Sequence, residues 1–197
     1  MNTLHHLRTK KIVLASKSPR RQELLKGLLL DFTIRTKEVD ESFPAHLKAQ
    51  EIVLFLAQKK ADAFRLELQP DEVLITADTI VWVNNKVLNK AQNREEALKM
   101  LEELNGATHQ VYTGVCVMSQ SETEVFFDST DVTFDQMERE ELEFYVDTFC
   151  PFDKAGAYGI QEYIGFVGIK SIEGSYFNVV GLPVQKLYSV LKKFATA

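Results

Sequence analysis

The feature that most constrains the fold is an abrupt change of hydrophobic period near the start of the chain. Lys11-Ile12-Val13-Leu14 is a short apolar run that reads as a buried strand, and Leu24, Leu25 and Leu28 then recur at helical spacing. Between them the chain turns through small polar residues. Ser18 is a good N-cap, and Pro19 takes the first helical position, where its missing N–H costs nothing. The helix therefore opens with Arg20 and Arg21 in its first turn. A helix N-terminus disfavours each such cation by about 0.3–1 kcal/mol. An anion would reverse that sign: the end N–H groups, the Ser16 and Ser18 hydroxyls and two guanidinium forks would converge on phosphate. The same residues also fit a solvated helix start whose arginines pair with Glu23 or a distant acid.

Composition narrows the partners. The chain has 197 residues, 45% hydrophobic and 26% charged, enough for one globular domain or two small lobes. A formal net charge of −5 argues against wholesale binding to nucleic acid or an anionic membrane. It leaves room for a local basic pocket that takes a small anion. Cys116 and Cys150 make neither a disulfide framework nor a zinc site, and Cys116 sits in an apolar run as a core thiol. Residues 1–10 read as a loose lead-in, in which His5 and His6 lack partners at ligand spacing. They contain no apolar signal core, and no run approaches a membrane span, so a cytoplasmic protein is expected.

Along the chain, Asp31 to Thr36 alternates as a second strand and runs into the acidic Glu38-Val39-Asp40-Glu41. That cluster is either a solvated loop or a source of oxygen ligands for a divalent cation. Leu47 to Leu68 reads as one long amphipathic helix with Ile52, Phe55, Leu56, Ala63 and Phe64 on its apolar face. Lys60 lies at the margin of that face, either snorkelling to water or aimed at an anion. Val73 to Ala77 and Ile80 to Val83 are strand-like, and Asn84-Asn85 signals a hairpin into Val87-Leu88. Asp78-Thr79 interrupts this run. A carboxylate there is expensive unless paired or metal-bound, which makes Asp78 a candidate base or ligand. Lys90 follows as a further phosphate cation or a surface charge.

Asn93 to Leu104 is a capped helix of scaffold type. Strands are expected over His109 to Met118 and Glu124 to Phe134, then a short acidic helix from Glu138 to Val146. The glycine-rich stretch from Asp153 to Tyr176 fits either close backbone approach to a ligand or ordinary loops. Gly181-Leu182-Pro183 opens a last helix packed through Val184, Leu187, Val190, Leu191 and Phe194. No linker, repeat or low-complexity tract marks a domain boundary, so residues 1–197 are taken as a single domain.

Six segments, LASKSPRRQELL, LAQKKADA, ADTIVWVNNKVLNK, GATHQVYTGV, DKAGAYGIQ and IEGSYFNVVGLP, together resemble the Maf family of nucleoside triphosphate pyrophosphatases. The resemblance runs in the family's order from Ile12 onward. It implies a mixed α/β fold of the Maf/ITPase-like kind, an elongated mixed sheet with helices and two lobes about a deep cleft. It also implies hydrolysis of a nucleoside triphosphate between the α and β phosphates, with a divalent metal (Mg²⁺ or Mn²⁺), by a homodimer. Carried over by motif, Ser16, Arg20, Arg21, Lys60 and Lys90 would hold the triphosphate. Asp78 would be the general base beside the metal, and Glu41 an additional metal ligand. The branch acting on dTTP and UTP is similar to this sequence at Ser-Pro-Arg-Arg, Asp-Thr and Gly-Ile-Gln, which makes Arg20, Thr79 and Gln161 the discriminating positions. A glutamine suits a uracil-type edge because its amide both donates and accepts. Ala91, Phe149-Cys150 and Glu162-Tyr163-Ile164 depart from the family's usual residues and bear on the base-side loop. The same reaction on 7-methyl-GTP and a nucleotide-binding regulator of septum formation are the alternatives.

Overall fold

The computed structural model describes residues 10–194, so residues 1–9 of the lead-in expected at 1–10, with His5 and His6, lie outside the described residues. The fold is mixed α/β. Among the described residues one seven-stranded sheet runs in the order β2-β1-β3-β5-β6-β7, with β4 hydrogen-bonded to β3. The strands are β1 (Lys11–Leu14), β2 (Phe32–Ile34), β3 (Glu72–Val83), β4 (Lys86–Leu88), β5 (Thr108–Met118), β6 (Thr123–Phe134) and β7 (Ile169–Glu173). The helices are α1 (Pro19–Lys26), α2 (Gln50–Asp62), α3 (Arg94–Leu104), α4 (Arg139–Phe149), α5 (Tyr163–Val167), α6 (Tyr176–Val180) and α7 (Val184–Phe194). β1 is parallel to both β2 and β3, whereas β4 and β7 are antiparallel to their partners β3 and β6.

The chain divides into two compact units, and the divisions fall inside β3, β5 and β6 or beside α6. No composition change marks a boundary that lies within a continuous strand. The first unit takes the described chain up to Asp78, then Thr113–Asp128, then everything from Gly181. On one core, Ile12 and Leu14 of β1 and Val73 and Ile75 of β3 pack with Leu187 and Leu191 of α7. On another, Val13, Leu74 and Cys116 pack with Ala57 and Ala61 of α2 and with Phe64. Burial pushes the Cys116 thiol up to about 12, consistent with a packed thiol rather than a reactive one.

The second unit comprises Thr79–Tyr112 and Ser129–Val180. Its core joins Val81 and Val83 of β3, Leu101 and Leu104 of α3, Phe134 of β6 and Tyr145 of α4. The β3–β4 hairpin turns at Asn84 and Asn85, whose φ values of +49° and +59° suit the turn that follows the twist of two antiparallel strands. Asn93 caps α3 by accepting from the Glu96 N–H at 2.9 Å, and the Glu96 carboxylate returns to the Gln92 N–H at 2.8 Å.

Several expected elements are altered by tertiary demands. The helix expected over Leu47–Leu68 is the shorter α2, followed by a 3-10 turn at Arg65–Glu67. It starts late because the chain bends at Ala49 (φ +44°) and Glu51 takes the Lys48 N–H. It ends where the Phe64 N–H bonds back to Ala61 and the ring turns into the core. Phe55 and Ala63 are exposed, so the buried stripe is Ile52, Val53, Leu56, Ala57 and Ala61. Asp78-Thr79 does not break the strand: β3 runs straight through it. α4 continues three residues past Val146, with Glu138 and Glu141 closing a capping box at its start. The glycine-rich stretch contains α5 and β7, and α6 begins at its last residue, each only five residues long.

Candidate active site

In the first unit, β1 delivers the chain to Ser16, which is buried. The Ser16 hydroxyl accepts the Ser18 N–H at 3.2 Å, and the Ser18 hydroxyl accepts the Arg21 N–H at 3.5 Å. These two serines shape the turn and begin α1. Arg21 is drawn inward. Its Nε donates to the Gly181 carbonyl at 2.8 Å and its Nη1 to the Ala77 carbonyl at 2.9 Å. Burial holds the Arg21 guanidinium below its ordinary value, opposed by the negative charge of Asp78. Arg20, on the same turn, is partly exposed.

Asp78 follows Ala77 on β3 and is 9% exposed. Its carboxylate is hydrogen-bonded and ion-paired to the Lys60 ammonium. Lys60 comes from the last turn of α2, and the same ammonium lies 2.7 Å from the carboxylate of Glu41. One lysine therefore gathers two carboxylates from separate parts of the chain. The Glu41 loop is itself tied down. Asp40 accepts from the Ser42 N–H and hydroxyl and from Lys59, and these bonds hold its carboxyl down to about 2. Lys59 also donates to the Ser42 carbonyl at 2.9 Å.

Among the described residues no group of three His, Cys, Asp or Glu side chains is placed to hold a metal by protein ligands alone. Two carboxylates meeting on a single ammonium nevertheless have the donor chemistry a hard cation requires. Mg²⁺ in particular is held by one or two carboxylates, with phosphate and water completing its shell. Glu41 and Asp78 fit such an ion on that ground.

Thr79, Lys90 and Gln161 belong to the second unit. Thr79 is partly exposed on β3. Lys90 is exposed, and its backbone pairs with Ala155, at the foot of the glycine-rich stretch. Gln161 is partly buried, and its Oε1 atom is buried without a hydrogen-bond partner. A buried amide oxygen in that condition costs about 1–3 kcal/mol, which a ligand's donor would offset. The structure thus brings Arg21, Glu41, Lys60 and Asp78 into one connected set through shared hydrogen bonds, ion pairs and the Ala77–Asp78 backbone.

A group missed in the sequence ties the turn that carries Gln161. Lys154 is buried, with its ammonium 2.7 Å from Asp153 and 3.0 Å from Glu162. The Tyr145 hydroxyl donates to Glu162 at 2.5 Å and accepts the Gly159 N–H at 3.0 Å. Burial, reinforced by the Glu162 carboxylate, pushes the Tyr145 phenol well above its ordinary value. The sequence signs of this group were the departure at Glu162 and a lysine set among glycines and small residues.

Residues 11–194 match the family of Maf-like proteins. The chain is 54% identical to the dTTP/UTP pyrophosphatase of Bacteroides thetaiotaomicron, over 92% of this chain and 95% of that protein. It is 50% identical to the dTTP/UTP pyrophosphatase of Parabacteroides distasonis, over 97% of this chain and 100% of that protein. Among solved structures, the Ham1 protein of Staphylococcus aureus aligns with a TM-score of 0.48 at 16% identity, covering 94% of this chain and 97% of that one.

Proposed function

The chain belongs to the Maf-like protein family, and from that premise we propose that it is a nucleoside triphosphate pyrophosphatase acting on dTTP and UTP. The observation that carries the reading is the buried Asp78 carboxylate on β3, paired with a lysine that it shares with Glu41. It is supported by relatives named for that activity that align over almost the whole chain.

Water attacks the α phosphorus, the bond to the bridging oxygen breaks, and pyrophosphate leaves with the electron pair. Asp78 orients the water and takes its proton. Lys60 stabilises charge on the phosphoryl oxygens, as do Arg20 and the N–H groups at the start of α1. Arg21 spends two of its donors on backbone carbonyls, so its charge is fixed in place before substrate arrives. Ser16 sets the turn that aims the α1 N–H groups. Glu41 and Asp78 would hold Mg²⁺ or Mn²⁺, which when bound neutralises phosphate charge. Of the residues in the second unit, Lys90 is assigned to phosphate by its motif, and Thr79 and Gln161, with Arg20, to selection of the base. Among the described residues no helix is long and apolar enough to cross a membrane. The reading extends to a cytoplasmic homodimer that meets free nucleotides.

The test is pyrophosphate release from dTTP, UTP, CTP, 7-methyl-GTP and the common purine triphosphates, with Mg²⁺ or Mn²⁺. Preference for dTTP and UTP is expected. Preference for 7-methyl-GTP would preserve the reaction and overturn the base assignment. Nucleotide binding without turnover under either metal would sink the enzyme reading and favour a regulator.

A further inference from the structure

Gln161 is an inner residue of a four-residue turn, Gly159-Ile160-Gln161-Glu162, closed by the Glu162 N–H donating to the Gly159 carbonyl at 2.9 Å. Both ends of that turn are tied to one atom. The Tyr145 hydroxyl accepts the Gly159 N–H at 3.0 Å and donates to the Glu162 carboxylate at 2.5 Å. Tyr145 is fully buried on α4, so the atom that joins the two ends is itself anchored in the core of the second unit. The other Glu162 oxygen meets the Lys154 ammonium at 3.0 Å. A Cβ placed on Gly159 would lie 2.8 Å from the Glu162 carboxyl carbon and 3.0 Å from Lys154 Cε, so both side chains close down on the bare face of that glycine.

The turn is therefore clamped at both ends, while the Gln161 Oε1 inside it has no partner. Burying the Lys154 ammonium against the partly exposed Glu162 carboxylate brings little structural return, since such pairs seldom add stability over apolar packing. A phenol joining the two ends of a turn does, however, fix the backbone that aims a side chain. We infer that Tyr145, Glu162 and Lys154 are positioning residues that set the Gln161 amide for the uracil-type edge of the substrate. The inference rests on the pyrimidine triphosphate reading above and goes beyond it by naming what holds the reading residue in place.

The experiment is a double-mutant cycle on the full chain, reading KM and kcat for UTP and inhibition by inorganic tripolyphosphate, which carries no base. Tyr145→Phe, which keeps the ring and removes both ties, is expected to raise KM for UTP about tenfold, with kcat and tripolyphosphate inhibition within about twofold. Glu162→Leu should do the same from the partly exposed end, where folding is less at risk. Glu162→Gln, which keeps an acceptor for Tyr145, should retain most of the affinity. On a Gln161→Ala background Tyr145→Phe should cost nothing more. Additive losses, or equal losses for UTP and tripolyphosphate, would assign the network to folding alone and overturn the inference. Should Gln161→Ala itself leave KM for UTP unchanged, or the unaltered chain show no dTTP or UTP turnover, the underlying reading fails and this inference fails with it.

Discussion

At the scale of single residues, the proposed mechanism asks most of Asp78 and Lys60. Asp78→Asn keeps the volume and removes the base, so pyrophosphate release should fall by about 10²–10⁴-fold. Nucleotide binding, followed by calorimetry without turnover, should persist. Lys60→Met removes the ammonium shared by Asp78 and Glu41 and leaves two carboxylates without their common cation. We expect KM for nucleotide to rise and kcat to fall together, which a steady-state titration resolves. Asp78 was legible in the sequence because a charge inside an apolar run needs a reason, and Lys60 because of its place on the margin of a helical stripe. What Arg21 does was not legible. Its two backbone acceptors lie 56 and 160 residues away in the chain, a separation that local pattern does not encode. The partners of Glu162 lie nearer in the chain, but in an irregular segment whose turns no period reveals.

At the scale of elements, the contact between α2 and β5 in the first unit is unusually intimate. A Cβ on Gly114 of β5 would sit 2.3 Å from the Val53 carbonyl oxygen of α2, so only a residue without one permits this approach. Gly114→Ala should therefore destabilise the fold by about 1–3 kcal/mol or more, measurable as a lower midpoint in urea. Since Lys60 rides on α2, activity should decline with it. Elements with a clear period or cap were legible: α1, α3, β5, β6 and α7 stand where periodicity and capping residues predict them, and β1 stands where a short apolar run does. The five-residue α5, β7 and α6 were not, because a segment that short shows no period. β7 exists because β6 offers it a partner, with Val132 set against Ile172. β3 ran through Asp78 for the opposite reason, since flanking strands and an ion pair outweigh one unfavourable side chain.

At the scale of the whole molecule, acid should unfold the protein partly through one histidine. His109 is 2% exposed, with Nε2 2.7 Å from the Tyr158 hydroxyl and edge contacts to Phe134 and Tyr158. Burial lowers it from 6.5 to about 4, so the folded chain refuses a proton that the unfolded chain accepts. Stability should then rise with pH between those values, and as pH falls through that window up to about 3 kcal/mol should be lost. Urea unfolding at several pH values checks the slope, which should flatten in His109→Gln. A different consequence follows from the way α7 completes the first unit's core against β1 and β3. On the ribosome, the partners from β1 and β3 emerge long before α7 does, and all of the second unit emerges in the interval. The nascent chain must carry an apolar sheet face uncovered while more than half of its length is still being made. Residues with no part in hydrolysis thus decide when the hydrolytic groups assemble, and a message cut short after Gly181 would yield a second unit complete in sequence beside a first unit unable to close.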